Sequence, residues 1–288
     1  MWLPWDLALY GAAALFAFGV VATRATSPRQ RFAASFAREA AVVLVLYAIW
    51  IIAGRLSVYD VEGANGRAEL LWDWQRTLLL PNEAALQKAV LPHSWLVQAN
   101  NIYYAVMHVP VMVGTLIWIW IRHREHYSGL RNVLAGTTAA SLLIQLIAVA
   151  PPRFVESFGV IDTPELYGQS VYSALGYRTA GQLQAMPSIH VGWAILVGWY
   201  GWRASRSGWR WLAIAHAVAT MLVVVVTGNH YWLDGIVAGA IIVIAIPLEG
   251  VVRRRFGRVS GWFGRNEQRS GENGTSLTLP RARQGVST

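Results

Sequence analysis

The stretch VVVVTGNHYWLDGIVAG, residues 223–239, decides what kind of molecule this is. Its flanks are apolar enough for lipid, yet its middle carries His230 and, four residues on, Asp234. A carboxylate at the centre of a membrane helix costs roughly 2.5–3.5 kcal/mol on insertion scales. The stretch is tolerable only if this break lies at the membrane surface or the two residues have work to do.

Working outward, the whole chain has the composition of a polytopic, all-α integral membrane protein. Of 288 residues, 55% are hydrophobic and 14% charged, with 15 Trp and no Cys. The missing cysteines exclude disulfides and thiolate metal sites. The net charge of +9 does not point to nucleic acid, because the charges fall in short loops between apolar runs and form no basic face.

Seven apolar runs are expected to span the bilayer, at about 4–23, 39–54, 99–121, 132–150, 188–203, 209–227 and 231–251. The first has no Lys or Arg ahead of it, so it reads as a helix rather than a signal peptide. The fifth is short, about 24 Å if Ser188 caps it, so charge must decide whether it crosses. If it does, one side of the membrane holds Arg24, Arg29, Arg31, Arg38, Arg122, Arg124, Arg131, Arg203, Arg206, Arg210 and the eight arginines from Arg253 to Arg283. The other side holds Arg55, Arg67, Arg76, Lys88, Arg153 and Arg178. The positive-inside rule then puts the N-terminus outside and the C-terminus in the cytoplasm. Residues 1–258 form the membrane domain, and 259–288, polar and without apolar periodicity, are expected to be a disordered cytoplasmic tail.

Two extracytoplasmic segments are long. Between Arg55 and Gln98, GRAELLWDWQRTLLL and NEAALQKAVL read as amphipathic helices on the outer interface. Pro151–Pro187 has little periodicity, as a functional lid would. The same outer face receives Arg153 after the fourth span, MPSIH (186–190) opening the fifth, and GNHYWLD (228–234) between the sixth and seventh. Each has a plain explanation alone. His230 and Asp234, about 40° apart on a helix, make a structural pair. His190 can be a helix-start residue, and Arg153 can snorkel to lipid phosphates. Together they are a set for phosphorus chemistry: an imidazole oriented by a carboxylate as nucleophile, a second imidazole as acid, and a cation for phosphate. Two His and one Asp also suit zinc, but an arginine beside them serves an anion better. No metal and no cofactor is expected. Asn101, Tyr104 and His108 share about 60° of one helix face below this surface, either as an interhelical hydrogen-bond cluster or as a headgroup or acceptor pocket. A transporter would instead carry ionisable residues near mid-bilayer.

PSIH followed 40 residues later by HYWLD resembles the type 2 phosphatidic acid phosphatase superfamily. APPRFVESFGVIDT, AMPSIHVGWA and TGNHYWLDG, with NNIYYAVMH before them, resemble its inositol phosphorylceramide synthase branch over roughly residues 66–245. The resemblance implies a six-helix core within about 66–251, preceded by an added N-terminal helix. It implies that His230 is phosphorylated, that Asp234 orients it and that His190 is the acid. Arg153, Ser188 and Arg178 are the candidates for holding phosphate. The superfamily places a Lys where Leu146 stands and an Arg where Val224 stands. The synthase branch shares these gaps. The implied activity is phosphotransfer from a lipid phosphodiester to a lipid alcohol; a lipid or polyprenyl phosphate phosphatase would use the same histidines. The expected partners are lipid substrates in the bilayer.

Overall fold

The computed structural model describes residues 3–22, 27–56, 63–170 and 182–272, with the backbone alone at 50, 53–56 and 256–272. All regular structure among the described residues is helical. In chain order the α-helices are α1 Trp5–Val21, α2 Pro28–Leu56, α3 Ala64–Thr77, α4 Glu83–Val90, α5 Ser94–Val106 and α6 His108–Arg122. Then come α7 Arg124–Ile144, α8 Thr163–Leu166, α9 Ile189–Ala204, α10 Arg210–Val226 and α11 Trp232–Glu272.

This is an integral membrane protein. By length and composition α2, over Pro28–Ile49, and α11, over Trp232–Arg255, can each cross a bilayer. The pair α5 and α6 passes the same test jointly, as a broken span or a re-entrant loop. The other expected spans correspond to α1, α7, α9 and α10. Of these, α1 and α10 have 17 residues and α9 has 16, about 24–26 Å of helix against a hydrocarbon core of about 30 Å.

The third span corrects the sequence reading. A single helix was expected over 99–121, but the chain bends by 51° at Met107. Pro110, in the first turn of α6, has no N–H to give the Val106 carbonyl, so α5 cannot run on and α6 starts afresh. The sequence's last helix also differs in extent, continuing to Glu272, beyond residue 259 where the tail was expected to begin. Residues 273–288 lie outside the described residues.

By its contacts the chain forms two units, residues 1–245 and 246–288. In the first, small residues let the helices approach closely. Ala8 and Ala12 of α1 and Ala34, Ala37, Ala41 and Ala48 of α2 are buried. On α11, a Cβ at Gly235 would stand 2.5 Å from the Met221 sulfur of α10 and 3.2 Å from Val191 of α9, so glycine sets this three-helix spacing. In the second unit, the described residues 246–272 are helical, and Glu249 and Arg253 pair at 3.4 Å.

Helices α3 and α4 form as expected, but they do more than lie on an interface. Gln75 and Gln87 are buried and reach into the chain between the spans. Gln87 donates from Nε2 to the carbonyls of Ile161 (2.8 Å) and Val226 (2.9 Å), and its Oε1 accepts from Ile161 N–H (2.8 Å). Gln75 Oε1 accepts from Leu233 N–H at 3.2 Å. The two ends of the long 151–187 connection are themselves joined, because Val149 N–H donates to Leu183 O (2.9 Å) and Ala185 N–H to Val149 O (3.3 Å). Trp72 stacks on Phe158 at 4.1 Å and closes the apolar cluster beneath.

Candidate active site

The turn between α10 and α11 is built around Val224 and Gly228. The amide N–H groups of Asn229 and His230 both donate to Val224 O at 3.1 Å. Gly228 takes φ +69°, and a Cβ there would lie 2.8 Å from Val160 and 3.1 Å from Arg153, so both conformation and space require glycine. Its carbonyl accepts from Arg153 N–H at 3.1 Å, tying the start of the 151–187 connection to the turn.

Asp234 then stands third in α11, fully buried, where the free amides of a helix start favour a carboxylate. Its Oδ2 accepts from Tyr231 N–H at 2.8 Å and from His230 Nδ1 at 3.2 Å. The same Nδ1 lies 2.7 Å from Ala185 O. A carbonyl only accepts, so Nδ1 carries the proton and Nε2 holds the lone pair. Burial first, and the Arg153 cation with it, lower the imidazole to about 4 against the opposing pull of the Ala185 carbonyl. His230 is therefore neutral at pH 7, the form a nucleophile needs.

That Nε2 faces His190 Nδ1 at 3.4 Å. His190 is the second residue of α9, whose start Ser188 caps as expected: its Oγ accepts from Val191 N–H at 3.3 Å. Ser188 N–H also donates to Asp234 O (3.3 Å), so the PSIH and HYWLD segments are bonded to each other. Beyond His190 lie Tyr104, with ring centroids 4.8 Å apart, and His108 at 4.3 Å. His190, His230 and Asp234 thus meet.

A protein-family model described as the PAP2 superfamily matches residues 69–248. The chain belongs to the PAP2 superfamily. Members of that superfamily are phosphatases or phosphotransferases, and this chain is an enzyme of that kind. No curated protein and no solved structure matches it.

Other PAP2 positions come out differently from the simple reading. Arg153 does not snorkel; its side chain is 2% exposed. Its Nε donates to Asp162 Oδ2 (2.9 Å), Nη2 to Gln182 Oε1 (2.7 Å) and Nη1 to Asn229 Oδ1. The guanidinium is a cation fixed beside His230. Arg178 lies outside the described residues. At the two positions where the superfamily has cations, Val224 is fully buried and Leu146 is 43% exposed. The break at Met107 leaves Asn101 and Tyr104 on α5 and puts His108 on α6, where its Nδ1 stays 2.9 Å from Tyr104 O. Asn101 bonds to the 151–187 connection, accepting from Thr163 Oγ1 (2.9 Å) and donating to Gln169 Oε1 (3.0 Å). Of these three, Tyr104 and His108 make ring contacts with His190.

Sequence reasoning missed Asn229, Gln182, Asp162 and the Ala185 carbonyl. Asn229 adjoins His230 and was open to inspection. The carbonyl has no sequence signal.

Proposed function

We propose that this PAP2 enzyme is a membrane lipid phosphotransferase of the inositol phosphorylceramide synthase-like kind, working through a phosphohistidine at His230. The observation that carries this is the His230 ring, whose Nδ1 is held by Ala185 O and Asp234 while its Nε2 lone pair faces His190. In the first half-reaction Nε2 bonds to phosphorus and His190 protonates the departing alcohol oxygen. In the second, the hydroxyl of a lipid acceptor displaces His230. Asp234 orients the imidazole and offsets the charge it gains. Arg153 and the helix start capped by Ser188 hold the phosphate oxygens, with Arg178 a further candidate. Tyr104 and His108 border the acceptor side, and Asn101 acts on it through the lid.

Transfer is favoured over hydrolysis by charge. Among the described residues Arg153 is the fixed cation, and with apolar Leu146 and Val224 at the other two positions this suits a phosphodiester with its single charge better than a terminal phosphate. The reading includes seven spans, a catalytic core over about 66–251, an active site on the extracytoplasmic face and a cytoplasmic tail.

The test is purified full-length protein with 32P-labelled mixed phospholipids, with and without ceramide or another hydroxylated lipid. Labelled product should form only with an acceptor, and phosphatidic acid should release little phosphate. Fast phosphate release from monoesters with no transfer product would favour the phosphatase. Undiminished turnover in His230→Ala would remove the mechanism altogether.

A further inference from the structure

Three imidazoles stand in a row, His108, His190 and His230, although the mechanism above uses only two. His108 opens α6 just past the break and is 5% exposed. Its Nδ1 lies 2.9 Å from Tyr104 O. As at His230, a carbonyl partner places the proton on Nδ1 and leaves the lone pair on Nε2. That Nε2 is buried and has no hydrogen-bond partner among the described residues. The ring meets His190 edge-on, with centroids 4.3 Å apart and planes at 60°. His190 is therefore flanked by two imidazoles, each held through Nδ1 by a backbone carbonyl and each retaining its lone pair on Nε2. A ring kept for packing alone would be served by phenylalanine, without a buried nitrogen to satisfy.

We propose that His108 is a positioning residue for the general acid, its Nε2 lone pair stabilising the proton that His190 must carry. This deepens the reading of His190 under the proposed function and rests on it. The proton balance closes. In the first half-reaction the His230 Nε2–phosphorus bond forms, the bond from phosphorus to the leaving alcohol oxygen breaks, and that oxygen takes the proton from His190. In the second, the acceptor oxygen bonds to phosphorus, the electron pair of the N–P bond returns to His230, and the hydroxyl proton goes to His190. His108 acts while His190 is charged, before the first step and after the second.

The discriminating variable is the leaving group, because a nitrophenolate departs without a proton and a lipid alkoxide does not. Purified full-length His108→Phe would be compared with wild type on 32P-labelled mixed phospholipids and on hexadecyl 4-nitrophenyl phosphate. His108→Phe should slow phosphorylation of the protein by phospholipid by about tenfold or more, while the nitrophenolate burst from the aryl diester, read without acceptor, slows by less than about twofold. His190→Ala should show the same pattern more strongly, and the double variant should be no worse than His190→Ala. His108→Gln, which keeps an acceptor oxygen, should recover part of the loss and provides the same comparison if the Phe variant does not fold. Equal losses on both donors, or no loss on either, overturn the proposal. Wild-type inactivity on both donors, or an active His230→Ala, would refute the phosphohistidine mechanism itself.

Discussion

Asp234→Asn is the most informative single change, because the structure separates two roles that a carboxylate beside a catalytic histidine usually combines. Where the carboxylate alone fixes the tautomer, its amide replacement costs on the order of 10⁴ in rate. Here Nδ1–H is held by the Ala185 carbonyl at 2.7 Å, closer than Asp234 Oδ2 at 3.2 Å. The tautomer should therefore survive the substitution, and only the charge effect on the phosphorylated, cationic ring should be lost. A hydrogen bond to a charged group contributes about 1.5–3 kcal/mol, or roughly a 10- to 150-fold effect. The asparagine oxygen can still accept from Tyr231 N–H, so the α11 start should hold. The assay is the single-turnover rate of 32P incorporation into protein from labelled phospholipid, alongside thermal unfolding in detergent. A loss near 10⁴ with unchanged stability would show that Ala185 does not fix the ring. No loss at all would show that Asp234 is uncoupled from the chemistry.

Further outcomes are expected. With an aryl diester that needs no acid, the rate of His230 phosphorylation should stay level from pH 8 to about 5 and fall as protonation removes the nucleophile near pH 4; a midpoint near the usual histidine value of about 6.5 would contradict the burial argument. Gln87→Leu strands the amide of Ile161 and the carbonyl of Val226, while the Ile161 carbonyl keeps the Thr163 N–H, and should destabilise the protein by about 2 kcal/mol in detergent unfolding. Gly228→Ala should sharply reduce activity through its contacts with Val160 and Arg153, which a circular dichroism melt paired with the transfer assay would separate from global unfolding. The chain has no cysteine, so single cysteines report sidedness: Ser157→Cys should react with an impermeant thiol reagent in intact cells and Ser207→Cys should not, and the reverse would place the active site in the cytoplasm.

The helices and the meeting of His190, His230 and Asp234 were legible because apolar runs, helix-start residues and motif spacing are local signals. Ser188 announced the start of α9 in this way. The bend at Met107 was missed because the hydropathy of 99–121 is continuous, and only Pro110 hinted that its hydrogen bonding is not. Arg153 was legible as a cation beside the histidine motifs, but its burial was not. Its partners Asp162, Gln182 and Asn229 are far apart in sequence, and no local pattern announces their meeting. Helical angle groups Asn101 with Tyr104 and His108 as a hydrogen-bond cluster or a pocket, but it cannot show that Asn101 bonds Thr163 and Gln169, which lie more than 60 residues away in the chain.

Two of the three histidines in the row are fixed by carbonyl oxygens, of Ala185 and of Tyr104. A carbonyl is present whatever side chain the residue bears, so its contribution can persist through substitution at that position provided the chain keeps its path. Ala185→Ser or Ala185→Gly should thus be nearly silent, although that carbonyl oxygen lies closer to His230 Nδ1 than the Asp234 carboxylate does. Scanning mutagenesis of this enzyme would pass over it. Replacing the amide that follows, at Met186, with an ester would weaken that carbonyl as an acceptor and expose a determinant that substitution at residue 185 leaves in place.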